Sequence, residues 1–131
     1  MNFQGTILLV DDEAHIRKYV GLILRGLGAP TIIEATNGQE GVAAYERENP
    51  DLVLLDVNMP VMEGIETLKK IKQIDPDAVV IMLTSLANRQ TIEQAIELGA
   101  ANYIRKDSSR EEITKALSET IDACFESEPE A

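Results

Sequence analysis

Five short apolar runs, each separated from the next by a stretch of helical period, constrain this chain more than any other feature. They are "GTILLV" (5–10), "PTIIEA" (30–35), "DLVLL" (51–55), "VVIMLTS" (79–85) and "NYIRK" (102–106). Each is too short for a core helix and reads as a strand. Between them the apolar residues fall three and four apart. Ile16, Tyr19, Val20, Ile23, Leu24 and Leu27 mark the first helix; Ile65, Leu68, Ile71 and Ile74 mark one face of the third. "GQEGVAAYERENP", "RQTIEQAIELG" and "SSREEITKALSETIDACF" supply the second, fourth and fifth helices. Gly26 and Gly28 end the first helix, Pro50 the second and Gly99 the fourth. Ser108–Glu111 and Ser109–Glu112 both fit a capping box at the start of the fifth.

Strands without a polar alternation are covered on both faces, which means a parallel α/β sheet. Right-handed crossovers then give a doubly wound, flavodoxin-like layout with five helices on two faces and the strand order 2-1-3-4-5. The 131 residues suit one domain, expected over 1–125 with an acidic tail at 126–131.

Charge excludes one class of partner. The chain carries 23 acids against 12 bases, a formal net charge of −11, so it lacks the basic footprint that nucleic-acid binding needs. Cys124 is the only cysteine, which rules out an intrachain disulfide. No apolar stretch approaches the ~18 residues of a membrane span, and no signal-peptide pattern opens the chain. A cytoplasmic setting is the expectation.

In doubly wound sheets the ligand site lies beyond the carboxyl ends of the strands, where strand order reverses. The residues that follow the strands are therefore the candidates: Asp11 and Asp12, Asp56, Thr84 with Ser85, and Lys106. The first and third strands are neighbours in this order, so Asp11, Asp12 and Asp56 converge. Crowded carboxylates either take up protons or hold a cation. Oxygen ligands without His or Cys favour a hard ion, Mg²⁺ or Mn²⁺. A carboxylate nucleophile, a divalent ion, a lysine and a hydroxyl together fit formation of an acyl phosphate.

The pieces "ILLVDDE", "LVLLDVNMPVMEG", "VVIMLTS" and "GAANYIRK", in this order, resemble the receiver domain of two-component response regulators. The resemblance covers essentially the whole chain and is nearest to the stand-alone, chemotaxis-type regulators. It implies that Asp56 is the phosphoacceptor, served by a histidine kinase, a phosphotransfer protein or a small acyl phosphate. It implies Mg²⁺ held by Asp12 directly, Asp11 largely through water, Asp56, and the main-chain carbonyl of Asn58. Thr84 and Lys106 would engage the phosphoryl group, and Tyr103 would be the aromatic that moves with Thr84. Asn58 and Leu86 would tune phosphoryl lifetime, with apolar Leu86 offering nothing to orient a water. The surface of the fourth helix, fifth strand and fifth helix would meet the downstream protein. The family usually has proline after the lysine, joined by a cis peptide. Here Asp107 follows Lys106, which predicts a trans bond, because a non-proline cis peptide costs about 2.5–4 kcal/mol. Asp107 also adds a carboxylate near the pocket.

Other readings compete. A haloacid-dehalogenase-type phosphohydrolase also uses a strand-end aspartate with Mg²⁺, but needs a second acid two residues on; here that position is Asn58. The expectation is thus no enzyme beyond self-directed phosphorylation and dephosphorylation. A phosphate sink or a non-switching adaptor shares every site residue with the switch. A dinucleotide-binding protein would need G-x-G-x-x-G where this chain has Asp-Asp. His15 reads as an exposed helix residue and Cys124 as small apolar packing. Met59 and Met62 read as loop packing, with Pro60 and Gly64 shaping the loop and helix entry.

Overall fold

The computed structural model describes residues 3–28, 30–57, 59, 62–85 and 88–125. Its elements alternate as β1 (Thr6–Val10), α1 (Ala14–Arg25), β2 (Thr31–Ala35), α2 (Gly38–Glu48), β3 (Leu52–Leu55), α3 (Gly64–Ile74), β4 (Val80–Thr84), α4 (Arg89–Glu97), β5 (Asn102–Arg105) and α5 (Arg110–Phe125). The strands form one parallel sheet in the order β2-β1-β3-β4-β5, as the sequence predicts.

The period-two alternation of strand side chains divides the core in two. Leu8, Val10, Val53, Leu55, Val80 and Met82 face α2, α3 and α4. Ile7, Leu9, Leu52, Leu54, Ile81 and Leu83 face α1 and α5. Burying each such side chain contributes about 1.5–3 kcal/mol. The central strands are therefore the most rigid place on which to hang a site.

Helix starts follow local chemistry. Asn37 accepts from the Glu40 N–H at 2.9 Å, and Asn88 from the Thr91 N–H at 2.8 Å. Of the two capping boxes expected for α5, Ser109–Glu112 forms, with both reciprocal bonds at 3.1 Å. α2 ends on Asn49, in the left-handed region at φ 47°, one residue before Pro50. α4 is followed by Gly99 at φ 92°.

Ile74, the last residue of α3, is 43% exposed, while Leu68 and Ile71 of the same helix are buried. One expectation is corrected: Cys124 is exposed. In the last turn of α5 the inward contact belongs to Phe125, whose ring lies 5.3 Å from that of Phe3.

Candidate functional site

Backbone register builds the site. β1 and β3 pair with Val10 opposite Leu55, so Asp11 and Asp56 leave the sheet side by side. The ladder continues through both: the Asp56 N–H donates to the Val10 carbonyl at 3.0 Å, and the Asp11 N–H to the Ala35 carbonyl at 3.1 Å. β4 and β5 pair with Thr84 opposite Arg105, and the Lys106 N–H donates to the Thr84 carbonyl at 2.9 Å. Asp11, Asp56, Thr84 and Lys106, four of the six residues chosen at strand ends, thus share one rim.

Their side chains meet. Asp11 and Asp56 are 2% and 4% exposed, while Asp12 lies open to solvent. One carboxylate oxygen from each of the three falls within 4.8 Å of the others. The Lys106 ammonium sits 2.5 Å from Asp11 Oδ2, 3.1 Å from Asp56 Oδ2 and 3.8 Å from Glu13 Oε1. Thr84 is fully buried, and its side chain hydrogen-bonds Asp56. Tyr103 is half-buried against the core, close enough to Asp56 to feel its charge.

Electrostatics at this rim are strained in a definite direction. Burial pushes the Asp56 carboxyl above the usual range, and the charge of Asp11 adds to it; Lys106 and Thr84 offset only part. Burial alone would lower Lys106, but its bond to Asp11 and the two negative charges outweigh that and hold the ammonium above its ordinary value. Burial and the Asp56 charge raise Tyr103. Excess negative charge, in an all-oxygen donor set with one member open to solvent, fits a hard divalent cation. Asp11, Asp12 and Asp56 are the side chains that would hold Mg²⁺ or Mn²⁺.

Gly64 explains how α3 comes so close. A Cβ there would meet the Asp56 carbonyl oxygen at 2.1 Å and Val57 Cα at 2.6 Å. The Gly64 N–H donates to the Val57 carbonyl at 2.8 Å, tying the start of α3 to the residue that follows Asp56. Met59 is 5% exposed and Met62 partly buried, as loop packing requires.

Several expected positions lie elsewhere. Asn58, Pro60, Leu86 and the tail at 126–131 fall outside the described residues. The Lys106–Asp107 peptide is trans. The Asp107 carboxylate is taken by the Arg105 guanidinium, at 2.9 Å from Nε and 2.6 Å from Nη2, which makes the pair bidentate. His15 is exposed and lies 3.7 Å from Glu13.

Two participants escaped the sequence reading. Arg17 donates from Nη1 to the Asp11 carbonyl at 2.6 Å and from Nε to Glu34 Oε1 at 2.7 Å. Both are polar residues on periodic elements, and polarity alone marks them as solvated. The available signal was weak: Arg17 follows Glu13 by one helical turn, beside the Asp-Asp pair.

Comparison with known proteins agrees with this geometry. The family model of the response regulator receiver domain matches residues 7–118. The chemotaxis protein CheY of Bacillus subtilis is 38% identical over 115 residues, covering 88% of this chain and 96% of that protein. A CheY-like receiver domain protein from Methanospirillum hungatei superposes with a TM-score of 0.84 at 30% identity, covering 93% of this chain and 97% of that one. A chain of the CheX–CheY–BeF3–Mg²⁺ complex from Borrelia burgdorferi superposes with a TM-score of 0.83 at 31% identity, covering 93% and 90%.

Proposed function

The chain belongs to the response regulator receiver domain family, and on that footing we propose that it is a phosphorylation-controlled signalling module of a two-component system. The observation that carries the reading is Asp56: a buried carboxylate at the end of a central strand, touched by Lys106 and Thr84 and facing two further acids.

The proposed chemistry follows from those groups. An Asp56 oxygen attacks the phosphorus of a phosphohistidine or of a small acyl phosphate. A P–O bond to Asp56 forms as the donor's P–N or P–O bond breaks, and the donor leaves with the electron pair. Asp11, Asp12 and Asp56 would hold Mg²⁺, which when bound would supply charge neutralisation for the transfer. Lys106 already lies within reach of Asp56 and exchanges its carboxylate contact for a phosphoryl oxygen. The Thr84 hydroxyl turns from the carboxylate to the phosphoryl group, and Tyr103 follows into the space behind it. The chemistry is self-directed, with no turnover of a separate substrate.

The output is a changed surface on α4, β5 and α5. That face carries Tyr103 and presents Ile96, which is 62% exposed, a large apolar side chain available to a partner. A histidine kinase or phosphotransfer protein is the input partner. The relative captured with CheX makes a CheX-type protein a candidate at the output. Such a module works in the cytoplasm.

The test is direct. Parent protein is treated with acetyl phosphate and Mg²⁺, or with beryllofluoride and Mg²⁺, beside Asp56→Asn. We expect one phosphoryl group on the parent, none on the variant, and a changed Tyr103 environment by NMR. An unmodified parent that also fails to bind beryllofluoride would sink the reading.

A further inference from the structure

We propose that Arg17, backed by Glu34, is a positioning residue that sets the geometry of the acidic pocket through the Asp11–Asp12 peptide; this rests on the metal-assisted reading given above. Asp11 is held by four distinct bonds. Its N–H donates to Ala35, its Oδ1 accepts from the Glu13 N–H at 2.9 Å, and its Oδ2 takes Lys106. The fourth bond is the 2.6 Å contact from Arg17 to its carbonyl. The first three fix the strand end and the side chain. Only the fourth fixes the plane of the peptide that leads to Asp12.

That plane matters because Asp12 is otherwise the free member of the cluster. It is exposed, whereas Asp11 and Asp56 are buried. Turning the Asp11–Asp12 peptide swings the Asp12 Cα, and with it the one solvent-exposed carboxylate of the three that gather within 4.8 Å of one another. Arg17 sits in the first turn of α1, with its side chain 13% exposed, so its guanidinium is largely withdrawn from water. A charge-assisted bond in such a place is strong and directional.

Glu34 supplies the other half of the clamp. It projects from β2, the edge strand, and accepts from Nε at 2.7 Å. This pairing aims the planar guanidinium so that Nη1 meets the carbonyl. It also balances the positive charge of Arg17, which would otherwise oppose a cation near Asp11. Groups that orient metal ligands from behind typically contribute about 10–100-fold to affinity.

The experiment uses the full chain and Mn²⁺ as the probe ion, with binding read by electron paramagnetic resonance. Arg17→Ala is expected to raise the Mn²⁺ dissociation constant by about tenfold or more. With acetyl phosphate as donor, the loss should fall on the Mg²⁺ concentration for half-maximal rate, more than on the maximal rate. Arg17→Lys reaches only one of the two acceptors at a time and should recover part of the affinity. Glu34→Gln keeps an acceptor for Nε and should shift affinity less than Arg17→Ala. Parent-like Mn²⁺ binding by a folded Arg17→Ala would overturn the inference and leave the metal-assisted reading standing. A parent that binds no Mn²⁺ would overturn both. If Arg17→Ala does not fold, Arg17→Lys decides: unchanged affinity overturns the inference, and a several-fold loss supports it.

Discussion

At the amino ends of the strands the chain closes on itself with rings and neutral bonds. Phe3 packs on Phe125 and donates its N–H to the Leu27 carbonyl at 2.9 Å, and the nearby Asp51 exchanges two bonds with Thr6, accepting its N–H on the carboxylate and donating its own N–H to the carbonyl, each at 2.8 Å. At the carboxyl ends the same sheet buries two carboxylates, an ammonium and a hydroxyl. The first arrangement is what a fold does when it is free to minimise its free energy. The second is destabilising in itself, since buried charges forfeit hydration. The apolar strands beneath it, Leu52 to Leu55 above all, are what make it tolerable.

The contrast can be broken from the charged end first. Gly64→Ala drives a Cβ into the backbone of Asp56 and Val57, and neither can retreat as a flexible side chain would. The expected loss is about 3 kcal/mol or more, measured by urea unfolding. A loss below about 0.5 kcal/mol would mean that the strand end yields, and that the site is not held rigidly.

Lys106→Met comes next. It leaves Asp11 and Asp56 without their shared counter-charge, and breaking a buried pair typically costs about 3 kcal/mol. Because those carboxylates can still gather a cation, millimolar Mg²⁺ should restore part of the stability by mass action. If the variant's own stability is the same with and without Mg²⁺, its carboxylates do not bind the ion.

Asp56→Asn should act in the opposite direction and more weakly, a gain in stability near neutral pH without divalent ions. The sign follows from the raised Asp56 pKa. The folded state prefers the neutral carboxyl, so the group's contribution is fully present below the ordinary carboxylate range. It is lost as pH rises through the raised folded value. Parent and variant should therefore have equal stability in acid and diverge as pH climbs toward neutral. Melting curves across that range check it, and divergence confined to acid would reverse the assigned sign.

How much of this was legible beforehand differs between the two ends. The alternation of strands and helices followed from apolar runs and helical spacing, because both are properties of single segments, and the strand order followed from the right-handed crossovers that such an alternation imposes. Asp11, Asp56, Thr84 and Lys106 were legible as well, because parallel topology makes "next after the strand" a spatial address. The Arg17–Glu34 clamp was not, since it joins two polar residues on different elements and neither breaks a pattern. The Phe3–Phe125 pair was hidden for a similar reason: single aromatics near the two termini carry no period. Cys124 was misread as packing because a small apolar residue in a helix's last turn does not by itself say which way it faces.

The smallest effect concerns the turn that carries Lys106, where this chain departs from its family. Arg105 and Asp107 flank the lysine and clasp each other bidentately, with side chains 56% and 61% exposed. Exposed pairs contribute about 0.2–1 kcal/mol and weaken with salt. Asp107→Asn should therefore cost no more than about 0.5 kcal/mol, and less at high ionic strength. The backbone already holds the turn by the Lys106 N–H bond to Thr84 and the Ser108 N–H bond to the Arg105 carbonyl at 3.2 Å. A salt-insensitive loss above about 1 kcal/mol, accompanied by slower phosphorylation of Asp56, would give the clasp a different standing. The orientation of Lys106 would then depend on a surface ion pair, and a partner docking over β5 and α5 could reach the buried pocket simply by competing for Arg105.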